Sequence, residues 1–417
     1  MRIEVTPLEA MYDEPIKIRL DGFPPVRAVS LSASAVDGLG RKWRSEATFL
    51  TDGGGEVDLS LAPPRSGSYR TADSNGFLWS LQLDREVVER NAFAIARPDD
   101  VSIRLSAEID GKEVASGSLV RRFLNRDVLR EEVRDDGLVA TFFHTQEGPR
   151  PGIIVLSGSG GGLAEDQPAL LASHGYAVLS LGYFLMPGLP QGLAEIPLEY
   201  FERAIAWMKR NPAVDANRIA VMGASRGGEL SLLLGSIFPD IKAVVAYVPS
   251  GVVWPGIGGE GNAPGAAWTL RGEPVEFMES APPDPAMWSK SPIPMTPWFL
   301  DSLKNHASIE RAAIAVEKIN GPVLMFSGSD DQMWPSLNLA DLAVQRMIAR
   351  GFAHPYEHVS YAGAGHFIRF PYSPTISEIF HPLTRQMMAL GGTPEANHIA
   401  NLDSWRRCLS FLKKFLG

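Results

Sequence analysis

A serine hydroxyl becomes a useful nucleophile only when a base takes its proton and a carboxylate holds that base in place. The segment Arg218 to Leu230, RIAVMGASRGGEL, offers such a serine. Gly223-Ala224-Ser225-Arg226-Gly227 fits G-x-S-x-G, the pattern of a nucleophile elbow, in which the serine stands at the apex of a sharp strand-to-helix turn. Ile219 to Met222 reads as the buried strand before the turn, and the Gly227-Gly228 pair lets the following helix pack closely. In this arrangement the acid and then the base follow the serine along the chain. Phe326 to Pro335, FSGSDDQMWP, supplies the acid in a loop after an apolar run. Asp331 is favoured over Asp330, because Asp-x-x-Trp-Pro sets it deeper in the turn; the neighbour would cap a helix starting near Pro335. The base is His366, in the Gly-rich loop Tyr361 to Phe367 after a strand expected at Glu357–Tyr361. The other seven histidines lack this setting. His354 and His358 read as surface, and His174, His381 and His398 as flanking helices. His144 precedes the serine, and His306 lies in an insertion.

An acyl transfer also needs donors for the oxyanion. The backbone N–H of Arg226 is one candidate. The loop Ser157-Gly158-Ser159-Gly160-Gly161-Gly162 offers Gly160 and Gly161 as others. That loop is no phosphate cradle, since no Gly-Lys-Ser/Thr follows it, and its glycine spacing is wrong for a dinucleotide fold.

Parts so far apart in sequence need a scaffold that gathers them. Apolar runs at 153–156, 177–181, 219–222, 243–248 and 323–326 alternate with helical segments such as Pro197–Lys209. This is the signature of a mostly parallel sheet wrapped by helices, an α/β fold with ligands at the strand C-terminal ends. Residues 126–417 are assigned to it. Residues 1–125 differ: short alternating segments at 16–20, 29–33, 43–49, 57–61, 78–83, 101–109 and 114–120 are separated by Asp-Gly and Pro-Pro turns, which predicts an all-β sandwich. Residues 250–316, rich in Gly, Pro and large aromatics, interrupt the α/β pattern like a lid. Its aromatics would either wall an apolar substrate pocket or form the insertion's own small core. Trp254 there, with Trp334 and Phe367 beside the acid and base, are the candidate substrate contacts.

The totals exclude other classes. The 417 residues are 45 % hydrophobic with a formal net charge of −9, which disfavours a nucleic-acid surface. A single cysteine, Cys408, rules out an internal disulfide or a multi-cysteine metal site and is expected in the core of a C-terminal helix. No apolar run is long enough for a membrane span, and the start carries no recognisable signal or transit peptide, so a cytoplasmic protein is the expectation. No metal or cofactor is called for. The expected partner is a small acyl substrate.

Several separated motifs then resemble the acyl-CoA thioesterase / bile acid-CoA:amino acid N-acyltransferase family. They are Tyr12-Asp13-Glu14-Pro15, Gly76-Phe77-Leu78-Trp79, Gly158 to Leu163, Leu198-Glu199-Tyr200-Phe201, Gly223 to Leu230, Asp330 to Trp334, Gly365-His366-Phe367-Ile368, and Gly391 to Pro394 with Asp403-Ser404-Trp405. The resemblance implies an immunoglobulin-like sandwich before an α/β-hydrolase domain, and a triad of Ser225, Asp331 and His366 acting on an acyl thioester such as an acyl-CoA. It implies a serine where the amino-acid-conjugating branch typically has cysteine, which favours hydrolysis over acyl transfer to an amine or alcohol. Two departures are visible: Arg226 replaces the usual lysine, and the 250–316 insertion is long.

Overall fold

The computed structural model describes residues 1–84, 91–95, 97–258 and 265–417, so residues 259–264 of the expected insertion lie outside the described residues. The chain divides into two compact units. One comprises Met1–Asn125 with Arg369–Ile376, the other Arg126–Ile368 with Ser377–Gly417.

Alternation builds the first unit. Ala28–Val36 and Lys42–Leu50 pair antiparallel, with Val29 opposite Phe49, Leu31 opposite Ala47 and Ala35 opposite Trp43, all buried on one face while the residues between them are largely exposed. These strands belong to a larger sheet running Glu9–Met11, Lys112–Arg122, Val101–Ile109, Ala28–Val36, Lys42–Leu50, Ser66–Gly67, and a smaller sheet joins Arg2–Thr6, Lys17–Asp21 and Val57–Asp58. The strand expected at 78–83 is instead one helical turn, Gly76–Trp79, followed by a two-residue strand, Gln82–Leu83. All four residues of the turn are buried and Trp79 Nε1 donates to Asp73 Oδ2 at 2.7 Å, so apolar matter surrounds the segment and alternation has no face to select. Arg369–Ile376, expected with the C-terminal domain, folds into this unit: the Phe370 ring meets Tyr12 and Phe123 edge-on at 5.5 and 5.8 Å.

The second unit is an α/β sheet. Its strands are β1 (Val128–Val133), β2 (Val139–Thr145), β3 (Arg150–Leu156), β4 (Ala177–Gly182), β5 (Val214–Ala224), β6 (Ile241–Tyr247), β7 (Val323–Gly328) and β8 (Tyr356–Tyr361). Among the described residues they run in the order β1-β2-β4-β3-β5-β6-β7-β8. The two pairings of β2 are antiparallel and every pairing from β4 to β8 is parallel. Every residue of β4 and β7 is buried, as a sheet covered on both faces requires. The larger helices are α1 (Asp166–Ser173), α2 (Glu199–Arg210), α3 (Arg226–Ile237), α4 (Ser336–Ala349) and α5 (Pro394–Phe415). Helix α2 shows why the period mattered: Tyr200, Phe201, Ala204, Ile205 and Met208 are buried, and Glu199, Glu202 and Arg203 lie on its outer side. Cys408 is buried in α5, which pushes its thiol up to about 12 and leaves it unreactive.

The insertion folds into short helices at Pro285–Trp288, Thr296–Ser302 and His306–Ala312 with strand pieces at Trp268–Leu270 and Glu273–Pro274. Its aromatics mostly form its own core. Trp254 packs with Val252, Met278, Ala312, Trp334 and Leu339, and Met287, Ile293 and Met295 pack with Met388. Trp254 is therefore no substrate contact: it is 2 % exposed and its indole N–H is taken by Ser250 Oγ at 3.1 Å.

Candidate active site

Strand β5 delivers Ser225 at φ 59°, ψ −121°, a backbone conformation that costs a non-glycine residue of order 1–3 kcal/mol. The surroundings enforce it. Ser225 N–H donates to Tyr247 O at 2.9 Å, and Ser225 O accepts the first α3 bond from Glu229 N at 3.0 Å. A Cβ at Gly223 would stand 2.3 Å from Gly227 O, and one at Gly227 would stand 2.4 Å from Ser157 O. Both flanking positions of the elbow thus admit only glycine. The strained turn leaves the serine half-buried at the C-terminal end of the sheet, with the unpaired amides of the α3 N-terminus beside it.

The loop after β7 presents Asp331. Its Oδ1 accepts from Met333 N at 3.0 Å and Trp334 N at 3.2 Å, and its Oδ2 faces His366 Nδ1 at 2.8 Å. His366 is fixed from three sides. Its own N–H donates to Leu390 O at 2.8 Å, its ring meets Trp334 edge-on at 5.9 Å, and Asp331 holds Nδ1. With Nδ1–H committed to a carboxylate, Nε2 keeps its lone pair. Asp330 turns away: its Oδ2 accepts from Gly392 N at 3.0 Å and its Oδ1 from Gln332 Nε2 at 3.3 Å, so it pins the loop and caps no helix. Trp334 donates its indole N–H to Val248 O at 3.1 Å and is buried, so it backs the imidazole edge-on instead of facing solvent. Phe367 is half-buried directly after His366.

Arg226 is a candidate oxyanion donor through its amide and departs from the family's lysine. Its side chain turns inward and is 4 % exposed. Nη1 pairs with the fully buried Glu229 at 3.1 Å, and Nη2 donates to Trp254 O at 2.8 Å. Glu229 also accepts from Trp268 Nε1 at 3.0 Å and Trp254 N at 3.3 Å. The planar guanidinium reaches both acceptors from separate nitrogens in a fixed fork, which gives an arginine here a structural role. Burial pushes the Glu229 carboxyl up to about 7 against the pull of Arg226, and burial also lowers Arg226. The pair staples the α3 N-terminus to the insertion. Glu229→Ala strands a buried cation and two N–H groups, and is expected to cost about 3–5 kcal/mol. The double variant Arg226→Met/Glu229→Leu, which leaves no unpaired charge, is expected to lose clearly less in urea unfolding. An equal or larger loss in the double variant would contradict this account of the pair.

The Gly-rich loop after β3 lies against Ser225: a Cβ at Gly158 would come within 3.2 Å of Ser225 Cβ. Gly161, a candidate oxyanion donor, is excluded because its N–H closes a turn onto Gly158 O at 3.0 Å. Gly162 N–H is likewise taken, by Phe184 O at 3.2 Å. Among the described residues the amides of Ser159 and Gly160 have no hydrogen-bond acceptor, so Gly160 remains available.

Three histidines differ from their reading in the sequence: His398 lies inside α5 and is buried, and two others have changed surroundings. His381 does not flank a helix; it ends the short strand Glu378–His381, is buried, and its Nε2 lies 2.9 Å from Ser159 Oγ. His358 is not on the surface; it sits 2.8 Å from Ser327 Oγ through Nε2 and 3.2 Å from Asp341 through Nδ1. This second Ser-His-Asp array presents no exposed hydroxyl. Ser327 is fully buried inside β7, with no strained turn to present it. Triad composition is therefore not what distinguishes Ser225; the elbow is.

Among the described residues no cluster of metal-ligating side chains exists, and no helix is long and apolar enough to cross a membrane. Residues 196–417 match the family described as BAAT / Acyl-CoA thioester hydrolase C terminal, and residues 13–135 match the Acyl-CoA thioester hydrolase/BAAT N-terminal region. Acyl-coenzyme A thioesterase 2, mitochondrial, of Mus musculus is 31 % identical over 417 residues, spanning 97 % of this chain and 87 % of that protein. Acyl-coenzyme A thioesterase 1 of Mus musculus is 32 % identical over 420 residues, and acyl-coenzyme A thioesterase 6 of Homo sapiens 32 % over 419, each spanning 97 % of this chain and 94 % of the relative. With two domains matched in sequence order and likeness along nearly its whole length, the chain belongs to the BAAT / acyl-CoA thioester hydrolase family.

Proposed function

We propose that the protein hydrolyses acyl-CoA thioesters or related carboxylic esters through an acyl-enzyme on Ser225. The observation that carries the reading is the bond between Asp331 Oδ2 and His366 Nδ1 at the strand edge that also holds the strained Ser225 elbow. His366 Nε2 takes the Ser225 hydroxyl proton as Oγ attacks the acyl carbonyl. The negative oxygen is received by the amides of Arg226 and the Gly160 region. Collapse breaks the carbon–sulfur bond, and His366 returns the proton to the departing thiolate. Water, deprotonated by the same imidazole, then releases the acid and regenerates Ser225. Asp331 stabilises the imidazolium in both halves.

The relatives' names support the thioester, and the serine at the apex supports water as the acceptor. The rival reading, transfer to an amine or alcohol, keeps the triad and differs in product. Incubation with a long-chain acyl-CoA and a large excess of an amino acid is expected to give one free acid and one free thiol per turnover. Appearance of the N-acyl amino acid as the main product would replace hydrolysis with transfer. For the N-terminal unit we propose an immunoglobulin-like sandwich, supported by its two sheets and the alternating burial of their strands.

A further inference from the structure

The Gly-rich loop carries a side chain that the proposed reaction leaves unused. Ser159 directly follows Gly158, whose backbone packs on Ser225, and is half-buried. His381 Nε2 approaches Ser159 Oγ at 2.9 Å, and on the other side of that ring Thr384 N–H donates to His381 Nδ1 at 3.3 Å. An imidazole that accepts at Nδ1 carries its proton on Nε2. Burial lowers the His381 pKa to about 4, so the ring holds that single proton at neutral pH. The chain of donors therefore runs from Thr384 through His381 into the Ser159 oxygen. The hydroxyl hydrogen of Ser159 is thereby turned away from His381, and among the described residues it meets no acceptor. Beside it, the position a Cβ of Gly160 would occupy has nothing within 4 Å, which leaves room for a substrate atom.

We propose that Ser159 is a side-chain hydrogen-bond donor to the developing oxyanion at Ser225, with His381 as the positioning residue that directs its hydroxyl hydrogen toward the reacting carbonyl. The inference rests on the reading of Ser225 as nucleophile. It adds a directed O–H to the backbone amides and gives a buried histidine, which touches no reacting atom, a defined task. A donor of this kind acts on the transition state more than on the bound thioester, so its loss lowers kcat and leaves KM nearly unchanged.

The test compares Ser159→Ala, Ser159→Thr and His381→Gln with the unaltered protein and with Ser225→Ala, using one acyl-CoA and one alkylboronic acid whose tetrahedral adduct places an oxygen in the oxyanion position. Ser159→Ala is expected to lose roughly 10²–10³-fold in kcat and to bind the boronic acid more weakly by a comparable factor, with its thermal midpoint held. Ser159→Thr, which keeps the hydroxyl, is expected to recover to within a few-fold. His381→Gln is expected to fall between the two. The proposal is overturned if Ser159→Ala keeps full kcat and boronate affinity, or if Ser159→Thr is as impaired as Ser159→Ala. Because the Ser159 pair carries the decision, a His381→Gln protein that fails to fold does not rescue it. Retained turnover in Ser225→Ala would instead remove the nucleophile assignment itself, a result distinct from failure of the Ser159 role.

Discussion

Ser225→Ala is expected to lower kcat/KM for an acyl-CoA by about 10⁴-fold or more, with the fold retained. The size follows from what is lost: the covalent route disappears, and only binding and oxyanion stabilisation of a direct water attack remain. The elbow adds a second readout that separates backbone from chemistry. At φ 59° both serine and alanine carry a strained Cβ, whereas glycine does not. Ser225→Gly is therefore expected to be as inactive as Ser225→Ala and yet more stable by about 1 kcal/mol, seen as a higher urea midpoint. An alanine variant with activity near the parent level would require another nucleophile. A glycine variant less stable than the alanine one would mean that the turn is not strained in solution.

Asp331→Asn is expected to cost on the order of 10⁴-fold in kcat, and Asp330→Asn no more than a few-fold. The difference between adjacent aspartates is geometric. Asp331 Oδ1 accepts two backbone N–H groups, from Met333 and Trp334, so an asparagine there must keep its carbonyl oxygen on that side. Its NH₂ then points at His366 Nδ1 and drives the imidazole proton onto Nε2, where the ring can no longer accept from Ser225. Asp330 receives one backbone N–H from Gly392 and one side-chain amide from Gln332, and an asparagine can keep the backbone bond with its carbonyl oxygen. Steady-state kinetics on the two variants with a common acyl-CoA checks this. Equal losses, or the larger loss at position 330, would reverse the assignment.

The elements of the candidate site were legible in the sequence where structure is written locally. The elbow announces itself because strand, turn and helix must be consecutive, and its glycines cannot be replaced without collision. The acid and base loops follow buried strands in a fixed order. Other parts were hidden because they depend on distant contacts. The choice between Asp330 and Asp331 is set by their different bonding partners, Met333, Trp334 and His366 for one and Gly392 for the other. His381 lies 222 residues from Ser159, and nothing in Glu378-Ile379-Phe380-His381 hints at that partner. Aromatic content identified the insertion but not its burial: Trp254 and Trp268 look alike to a pocket wall in composition, and only packing shows them enclosed. Leu78–Leu83 alternates in sequence, but the buried turn at Gly76–Trp79 overrides that pattern.

The central claim is a covalent acyl group on Ser225, and the most direct measurement is intact-protein and peptide mass spectrometry after acid quench during turnover of a long-chain acyl-CoA. The protein is expected to gain the mass of one acyl group, to carry it on the peptide containing Ser225, and to release one free thiol for each acyl group bound. The adduct is expected to be absent in Ser225→Ala and to build up in Asp331→Asn if its deacylation slows more than its acylation. An acyl group on another residue, or rapid hydrolysis by Ser225→Ala, would contradict the account.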